Sequence, residues 1–211
     1  MKKYKIGISL AFLTAFVLWT AAVCFVDVQA IGPRGSAVGF AAINGGFHRL
    51  TGVHMALYTI TDWLSLIPLA FAAGFGLLGL VQWIRRRSLK KVDRSILILG
   101  GFYAAVLAAF LLFEAVVVNY RPILIEGVLE ASYPSSTTML VMCIMPTAVM
   151  QLRSRIRNRR IRRCTCAALT VFAVFMVAAR LISGVHWLTD IIGGALLSAA
   201  LTAMYAALTD E

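Results

Sequence analysis

The chain has 211 residues, 61% of them are hydrophobic, and its mean hydropathy is +0.87. Soluble domains of this size are far less apolar, so the composition excludes a soluble globular fold. Because one membrane-spanning helix takes about 20 apolar residues, the length allows about six spans with short connections. The composition therefore predicts an integral membrane protein.

The net charge of +11 comes mainly from three clusters of basic residues. Each cluster adjoins an apolar segment, which is the positive-inside pattern of cytoplasmic loops and not a nucleic-acid patch. The pattern predicts cytoplasmic N- and C-termini, basic loops that touch anionic lipid heads, and no nucleic-acid partner. Sixteen of the twenty Lys and Arg residues belong to the clusters: Lys2, Lys3, Lys5; Arg85, Arg86, Arg87, Lys90, Lys91, Arg94; Arg153, Arg155, Arg157, Arg159, Arg160, Arg162, Arg163.

Six apolar segments predict an all-α, polytopic membrane protein with six transmembrane helices, organised as a single domain over residues 1–211. The first segment follows a basic start, but it is too long for the apolar part of an ordinary signal peptide, so a retained span is expected. The segments cover residues 6–26, 64–84, 96–118, 138–152, 164–182 and 188–208.

The first outer connection, residues 29–62, is interrupted repeatedly by glycine. No continuous span fits there, and the segment is expected to form short interfacial helices that cover a site. His48 and His54 lie in this connection without an acidic neighbour. The sequence favours histidines whose polar atoms are satisfied at the interface over metal ligands.

The stretch from Arg180 to Asp190 holds three ionisable residues at the mouth of an apolar helix pair. His186 and Asp190 are four residues apart, so a helix from Trp187 onward would let the carboxylate accept a proton from one imidazole nitrogen. The other nitrogen would be free to attack, and a bend before His186 would return Arg180 toward it as an oxyanion clamp. The alternative is a set of interfacial side chains that extend to the membrane surface.

Two further outer stretches carry groups that bind anions. Arg121 precedes Pro122, which favours an extended backbone there and leaves the guanidinium free to meet an anion. Ser135 and Ser136 open the fourth predicted span, where a helix N-terminus offers unpaired N–H groups and hydroxyls. Singly, these features are typical of a turn and a helix cap. Together with residues 180–190 on one membrane face, they predict a pocket for a tetrahedral oxyanion with no bound metal.

At these residues the chain resembles the type 2 phosphatidic acid phosphatase superfamily of membrane lipid phosphatases. The resemblance implies that His186 attacks the phosphorus of a lipid phosphate, that Asp190 orients it, and that Arg121 and Arg180 hold the oxygens; water then cleaves the phosphohistidine. The family signatures are Lys-x6-Arg-Pro, Pro-Ser-Gly-His and Ser-Arg-x5-His-x3-Asp, and their counterparts here are Glu114-x6-Arg121-Pro122, Pro134-Ser135-Ser136-Thr137 and Ala179-Arg180-x5-His186-x3-Asp190.

Two departures from these signatures bear on activity. Thr137 stands where the family has the histidine that protonates the departing alkoxide, and a threonine hydroxyl is far too weak an acid for that role. General acid catalysis contributes about a hundredfold to ten-thousandfold, so a slow enzyme, or one acting on leaving groups that need little protonation, is expected. Glu114 replaces the family lysine. It lies two helical turns, roughly 10 Å, before Arg121 and is expected to brace Arg121 or Arg180 or to neutralise a buried arginine structurally.

The sequence therefore predicts a cofactor-independent, metal-independent phosphatase of the bacterial cell membrane with its active site on the extracytoplasmic side. Its substrate would be a lipid phosphate or diphosphate, for example phosphatidic acid, phosphatidylglycerophosphate or a polyprenyl diphosphate. Two alternatives remain open: a lipid-phosphate-binding membrane protein whose catalysis Thr137 has impaired, and a lipid phosphotransferase. The partners expected are the lipid phosphate substrate and membrane lipids. Glu126 and Glu130, between Arg121 and Pro134, are expected to be solvated.

Overall fold

The structure is a computed structural model that describes residues 1–210, and it consists of α-helices joined by irregular connections. Six of the helices have 20 or more residues, and two shorter ones lie in the first outer connection. No strand occurs in residues 1–210 apart from isolated bridges. In chain order the helices are α1 (Lys2–Phe25), α2 (Ala41–Thr51), α3 (Met55–Leu64), α4 (Leu66–Arg86), α5 (Arg94–Ala115), α6 (Ser136–Arg155), α7 (Arg159–Ile182) and α8 (Leu188–Thr209).

Five helical stretches are long and apolar enough to cross a membrane: α1, α3 with α4, α5, α7 and α8. Their outer faces carry large apolar side chains, among them Val17, Leu18 and Leu107, that are more than half exposed. Such a surface is stable against lipid hydrocarbon and not against water. The prediction of an all-helical, multi-pass membrane protein is confirmed.

Helix α6 is the centre of the bundle and differs from the other long helices in composition. It packs against α4, α5, α7 and α8, and eleven of its twenty residues are buried. Buried polar groups such as Thr147 and Gln151 find partners there: the Gln151 amide donates to Tyr205 Oη at 2.6 Å. Because α6 faces protein more than lipid, it does not need the apolar composition of a span. The structure has six long helices, of which five have the composition of a span, so the count of six spans stays a prediction.

Both chain termini and both basic connections lie at one end of the bundle. Asp93, just before α5, accepts hydrogen bonds from Gln82 of α4 at 2.8 Å and pairs with Arg86 at 3.0 Å and with Arg155 of α6 at 3.3 Å. Lys5 near the N-terminus pairs with Asp210 at 2.9 Å. The hydrogen bond from Gln82, followed by the two arginines, holds the pKa of Asp93 below its usual value. One carboxylate therefore joins three helix ends amid strongly positive surroundings.

The helix boundaries depart from the predicted spans at two places. Residues 153–163, expected to be a loop, are helical except for residues 156–158. Arginine favours helix, and Asn158 caps the start of α7. The Oδ1 of Asn158 accepts from the N–H groups of Arg160 at 2.9 Å and Ile161 at 3.1 Å. Helix α5 is predicted to end near residue 118 but ends at Ala115. Three consecutive β-branched valines follow Ala115 directly. This earlier end leaves Asn119 and Arg121 in a connection.

The first outer connection forms short helices, as predicted, and α2 packs on the start of α8. Asn44 is fully buried, and its amide donates to Thr189 Oγ1 at 2.9 Å while its oxygen accepts from the Thr189 N–H at 3.2 Å. His48 Nε2 lies 3.1 Å from the carbonyl oxygen of Gly184. The outer connection is therefore fastened to the segment that joins α7 and α8.

Helix α3 continues this contact and leads directly into α4. The backbone N–H of His54 donates to the carbonyl of Ser183 at 2.9 Å, and its Nε2 lies 2.9 Å from the carbonyl of Thr51. Both histidines of the connection thus have backbone partners, which confirms that they are satisfied at the interface.

Gly39 is required where this connection passes the end of α1, because a Cβ at that position would lie 1.7 Å from the carbonyl oxygen of Val23. We expect Gly39→Ala to lower the free energy of unfolding by about 1–3 kcal/mol, since the backbone must move to relieve the clash. Thermal unfolding of purified protein in detergent measures the effect. The matched control is Gly74→Ala on the exposed face of α4, which meets no atom within 4 Å. Equal melting temperatures for the two variants would contradict the expectation.

Candidate active site

The predicted site residues meet at the end of the bundle opposite to the basic clusters. The connection between α5 and α6 folds back on itself there: the Ser132 N–H donates to the Asn119 carbonyl at 2.9 Å. The indole N–H of Trp187, just before α8, donates to the Tyr120 carbonyl at 2.7 Å. These bonds bring the stretch that contains Arg121 and the stretch that leads to Ser135 together around the first turn of α8.

Asp190 lies at the third position of α8, and its carboxylate is fully buried. Its Oδ2 accepts from the backbone N–H of Trp187 at 2.9 Å and from the hydroxyl of Ser132. Its Oδ1 accepts from the Asn119 amide at 3.3 Å. Three donors from separate parts of the chain therefore hold this carboxylate in one orientation.

The expected direct hydrogen bond from His186 to Asp190 is replaced by a contact through Ser132. His186 Nδ1 lies 3.7 Å from Asp190 Oδ2 but 3.1 Å from Ser132 Oγ. The prediction placed both residues on one helix face, whereas α8 begins at Leu188 and leaves His186 in the preceding connection. Asp190 uses the shorter contacts to cap its own helix and to hold Ser132.

The proton positions follow from this arrangement. A serine hydroxyl has a single proton, and Ser132 donates it to Asp190. Its oxygen can then only accept from His186, so Nδ1 carries the imidazole proton and Nε2 has the free lone pair. Ser132 and Asn119 have no role in the sequence-based prediction, although each lies two residues before a predicted motif residue, Pro134 and Arg121.

His186 is buried, and its Nε2 has no hydrogen-bond partner in residues 1–210. Burial lowers the pKa of His186 to about 4; the charges of Arg121 and Arg180 act in the same direction, and the nearby Asp190 opposes them. The imidazole is therefore neutral at pH 7. A neutral ring with an unpartnered Nε2 is the form in which a histidine attacks an electrophile.

Both predicted arginines are buried beside the histidine, each with a carboxylate that differs from the expected one. Arg121 Nε pairs with Glu130 Oε2 at 3.0 Å, and Arg180 Nη2 pairs with Asp62 Oδ1 at 3.4 Å. The expected bracing by Glu114 is wrong: Glu114 is exposed and forms no ion pair with either arginine in residues 1–210. It lines a small pocket with His186. Glu130, expected to be solvated, is the partner of Arg121.

Donor groups of both guanidiniums remain unused. Arg121 Nη1 and Arg180 Nε are buried and have no hydrogen-bond partner in residues 1–210. Leaving a buried charged donor unsatisfied costs about 1–3 kcal/mol or more. An oxyanion between the two side chains would satisfy both groups.

Tyr58 of α3, a residue without a role in the sequence-based prediction, contacts both arginines. Its ring centroid lies 4.6 Å from Arg180 Cζ and 5.8 Å from Arg121 Cζ, distances typical of cation–π contacts. Thr61 of the same helix accepts from Arg180 Nη1 at 3.1 Å. The first outer connection therefore supplies one wall of the site, and only the fold could reveal it, because Thr61 lies 119 residues before Arg180 in the sequence.

A cavity of about 500 Å³ opens beside the arginines and runs along apolar side chains of α4, α5 and α6. Its polar end is formed by Asp62, Arg121, Ser136, Thr137 and Arg180. Its walls are apolar along most of its length, and they include Leu69, Val106, Leu107, Phe110, Leu140 and Ile144. The shape combines an anion-binding end with space for hydrocarbon.

The two serines at the start of α6 have different roles: one caps the helix and the other lines the cavity. Ser135 is fully buried and caps α6, because its Oγ accepts from the Thr138 N–H at 3.4 Å. Ser136 lines both the large cavity and the small pocket that contains His186. Thr137 is 7% exposed and lines the large cavity. Of the predicted phosphate-binding hydroxyls, Ser136 faces the cavity and Ser135 acts as a cap.

Within residues 1–210 no group of three or more His, Cys, Asp or Glu side chains is arranged to hold a metal ion. The charges that face the cavity are those of the two guanidiniums and of Asp62.

The chain is similar to known proteins in part of its sequence and in its fold. Residues 115–211 match the family model of the PAP2 superfamily, a range that contains every predicted site residue except Glu114. The fold is similar to the crystal structure of a transmembrane PAP2-type phosphatidylglycerolphosphate phosphatase from Bacillus subtilis, with a TM-score of 0.59, 17% identity and 94% of each chain covered. No match is found among curated proteins. The resemblance noted in the sequence is confirmed.

Loss of the Ser132 hydroxyl should change the protonation pattern of His186 without removing the ring. We expect Ser132→Ala to leave Nδ1 without an acceptor at hydrogen-bond distance, so that the two neutral tautomers become mixed. ¹⁵N NMR of histidine-labelled protein measures this, and Ser132→Thr, which retains a hydroxyl, should preserve the single tautomer. An unchanged spectrum in Ser132→Ala would show that Ser132 does not orient the ring.

The low pKa of His186 predicts a pH-dependent stability. Because its folded-state pKa of about 4 lies below the unfolded value, the unfolded chain binds more protons between about pH 4 and 6.5. This contribution is therefore fully present above about pH 6.5 and declines as the pH falls toward 4. Melting temperatures across this range should fall less steeply in His186→Gln than in the unmodified protein. His54→Gln, at an exposed histidine, should behave like the unmodified protein.

Proposed function

Because residues 115–211 match the family model of the PAP2 superfamily, we propose that the protein is a membrane phosphatase that hydrolyses a lipid phosphate or diphosphate through a phosphohistidine. The observation that carries the proposal is a set of buried groups without hydrogen-bond partners, Nε2 of His186, Nη1 of Arg121 and Nε of Arg180, in side chains near enough for the charges of both arginines to act on the histidine. One phosphate would meet all three, with its oxygens on the guanidiniums and its phosphorus facing the imidazole.

The cavity indicates how a lipid substrate would lie. Its phosphate would occupy the polar end beside Arg121, Ser136 and Arg180, and its hydrocarbon would follow the apolar walls between α4, α5 and α6. Glu130 and Asp62, which are 38% and 59% exposed, now pair with the two arginines. A phosphate would compete with these carboxylates, whose exposure lets them turn to water. Phosphatidic acid, phosphatidylglycerophosphate and polyprenyl diphosphates all fit this description.

In the first chemical step, His186 Nε2 forms a bond to phosphorus as the bond from phosphorus to the leaving oxygen breaks. The ring gains positive charge, and the Nδ1 proton remains hydrogen-bonded to Ser132, which passes this charge to the buried Asp190 carboxylate. Arg121 and Arg180 stabilise the charge on the phosphoryl oxygens. In the second step water attacks phosphorus, the P–N bond breaks, and phosphate and the neutral histidine result.

Thr137 determines which leaving groups are favoured. It lies at the polar end of the cavity but cannot supply a proton at neutral pH. An alkoxide would have to leave without acid assistance, whereas the phosphate monoester released from a diphosphate leaves readily as an anion. We therefore expect diphosphate lipids to react faster than lipid monophosphates. If chemistry is too slow to turn over, the same pocket would make the protein a binder of lipid phosphates, which is the second candidate function that Thr137 favours.

The whole chain, residues 1–211, is proposed to act as a single domain, because Tyr58, Thr61 and Asp62 complete the site from outside the region that matches the family. The site lies opposite to the three basic clusters. From the positive-inside rule we propose that the cavity lies at the extracytoplasmic face and that both termini are cytoplasmic.

Phosphate release from phosphatidic acid and from a polyprenyl diphosphate in detergent micelles tests the proposal. We expect His186→Gln to abolish release and Thr137→His to raise release from the monoester by about a hundredfold or more, since it restores a general acid. Acid-labile ³²P on the protein, trapped from labelled substrate and absent in His186→Gln, would identify the phosphohistidine.

His54→Gln is the matched control, because the ring of this exposed histidine contacts only a backbone carbonyl of its own connection, and the variant should retain full activity. Release by neither the unmodified protein nor Thr137→His would refute hydrolysis. In that event, a rise in melting temperature with added phosphatidic acid would identify the binding protein. At a lipid concentration 100 times Kd, binding should raise the free energy of unfolding by about 2.7 kcal/mol. Acceptor-dependent phospholipid products would instead identify a phosphotransferase.

A further inference from the structure

A second groove lies between α6 and α7 at the basic end of the bundle, opposite to the candidate active site. It consists of two adjoining cavities of about 700 and 520 Å³ that share Thr170, and we call it the α6–α7 groove. The larger, basic half is lined by Arg153, Arg162 and Arg163. The smaller half is apolar, and its lining includes Met142, Met145, Pro146, Val149, Val174 and Val177.

The arginines of the basic half have no acidic partner. Elsewhere at this end Arg86 and Arg155 pair with Asp93, and Lys5 pairs with Asp210. Among residues 1–210, by contrast, Arg153, Arg162 and Arg163 form no ion pair. Three like charges that line one groove repel one another, and the first turns of α7 add the positive end of the helix dipole. The basic half is therefore complementary to an anion.

The apolar half restricts the kind of anion. One side of it is formed by α7, a helix with the composition of a membrane span, on which Val174 is 65% exposed. From Thr170 to Val177 the groove follows α7 for about 10 Å, within the roughly 15 Å of hydrocarbon that belongs to one leaflet. An occupant would thus be charged at the membrane surface and apolar below it.

We propose that the α6–α7 groove binds one anionic phospholipid, with its head group on Arg153, Arg162 and Arg163 and an acyl chain along the apolar half. Basic pockets between membrane helices are suited to such head groups, and planar guanidiniums bind phosphate through paired hydrogen bonds. This site is separate from the cavity that contains Arg121 and Arg180, and it requires no turnover. A bound lipid would fill the seam between α6 and α7 and neutralise the repulsion among the arginines.

Native mass spectrometry of the full chain in detergent tests the proposal, with dioleoylphosphatidylglycerol as the probe and dioleoylphosphatidylcholine as the neutral comparison. Micelles of neutral detergent have no bilayer surface potential, so retention reports a local site. We expect the unmodified protein to retain phosphatidylglycerol in preference to phosphatidylcholine. The triple variant Arg153→Gln, Arg162→Gln, Arg163→Gln should bind phosphatidylglycerol at least about fivefold more weakly, the equivalent of one lost arginine contact.

The matched control removes the same charge from the other basic connection at this end: Arg85→Gln, Arg87→Gln, Lys90→Gln. It should bind phosphatidylglycerol like the unmodified protein. Val174→Trp, which fills the apolar half and leaves the arginines in place, should also weaken binding. Equal losses in the triple variant and its control, no loss in either, or equal retention of phosphatidylcholine would each overturn the proposal. Because the readout is bound lipid, a failure of the phosphatase assay would leave this result unaffected.

Discussion

The buried carboxylate of Asp190 is the group on which the arrangement of the site depends. Removing an ionised carboxylate from water is costly unless strong donors surround it, and here they come from Ser132, Asn119 and Trp187. The carbonyl of the same residue accepts from the N–H of Ser135 at 3.0 Å. The need to satisfy one charge therefore draws the connection before α6 onto the first turn of α8.

The same burial sets the chemical state of the neighbouring residues. In the dry surroundings of His186 the neutral imidazole is favoured, so the nitrogen that faces away from Ser132 retains its lone pair. The arginines cannot lose their charge in this way, because a guanidinium keeps its proton at any ordinary pH. They remain charged, partly paired with exposed carboxylates, and hold unused donors toward the cavity. The protein has thus fixed the donors and the lone pair before any ligand arrives, which is the preorganisation that phosphoryl transfer requires.

The two ends of the bundle handle charge in different ways. At the site end, the charged groups are few, and those that are deeply buried have specific partners. At the basic end, many charges are exposed, and one aspartate, Asp93, joins α4, α5 and α6. The α6–α7 groove belongs to the basic end, but its arginines line a cavity and, among residues 1–210, have no carboxylate partners. Arginine would therefore serve both the proposed substrate site at one end of the bundle and the proposed lipid site at the other.

The sequence by itself determined the membrane class and the approximate positions of the long helices, and it nominated His186, Asp190, Arg121 and Arg180 as candidate site residues, because hydropathy, basic clusters and motif spacing are local properties of the chain. Only the tertiary structure decided which groups meet. It placed Ser132 between histidine and carboxylate, assigned Glu130 and Asp62 in place of Glu114 as partners of the arginines, and brought Tyr58 against both guanidiniums. It also showed α6 as a central helix with polar side chains buried among apolar ones. These contacts join residues up to 122 positions apart, and their partners are selected by burial and packing, which no local pattern in the sequence records.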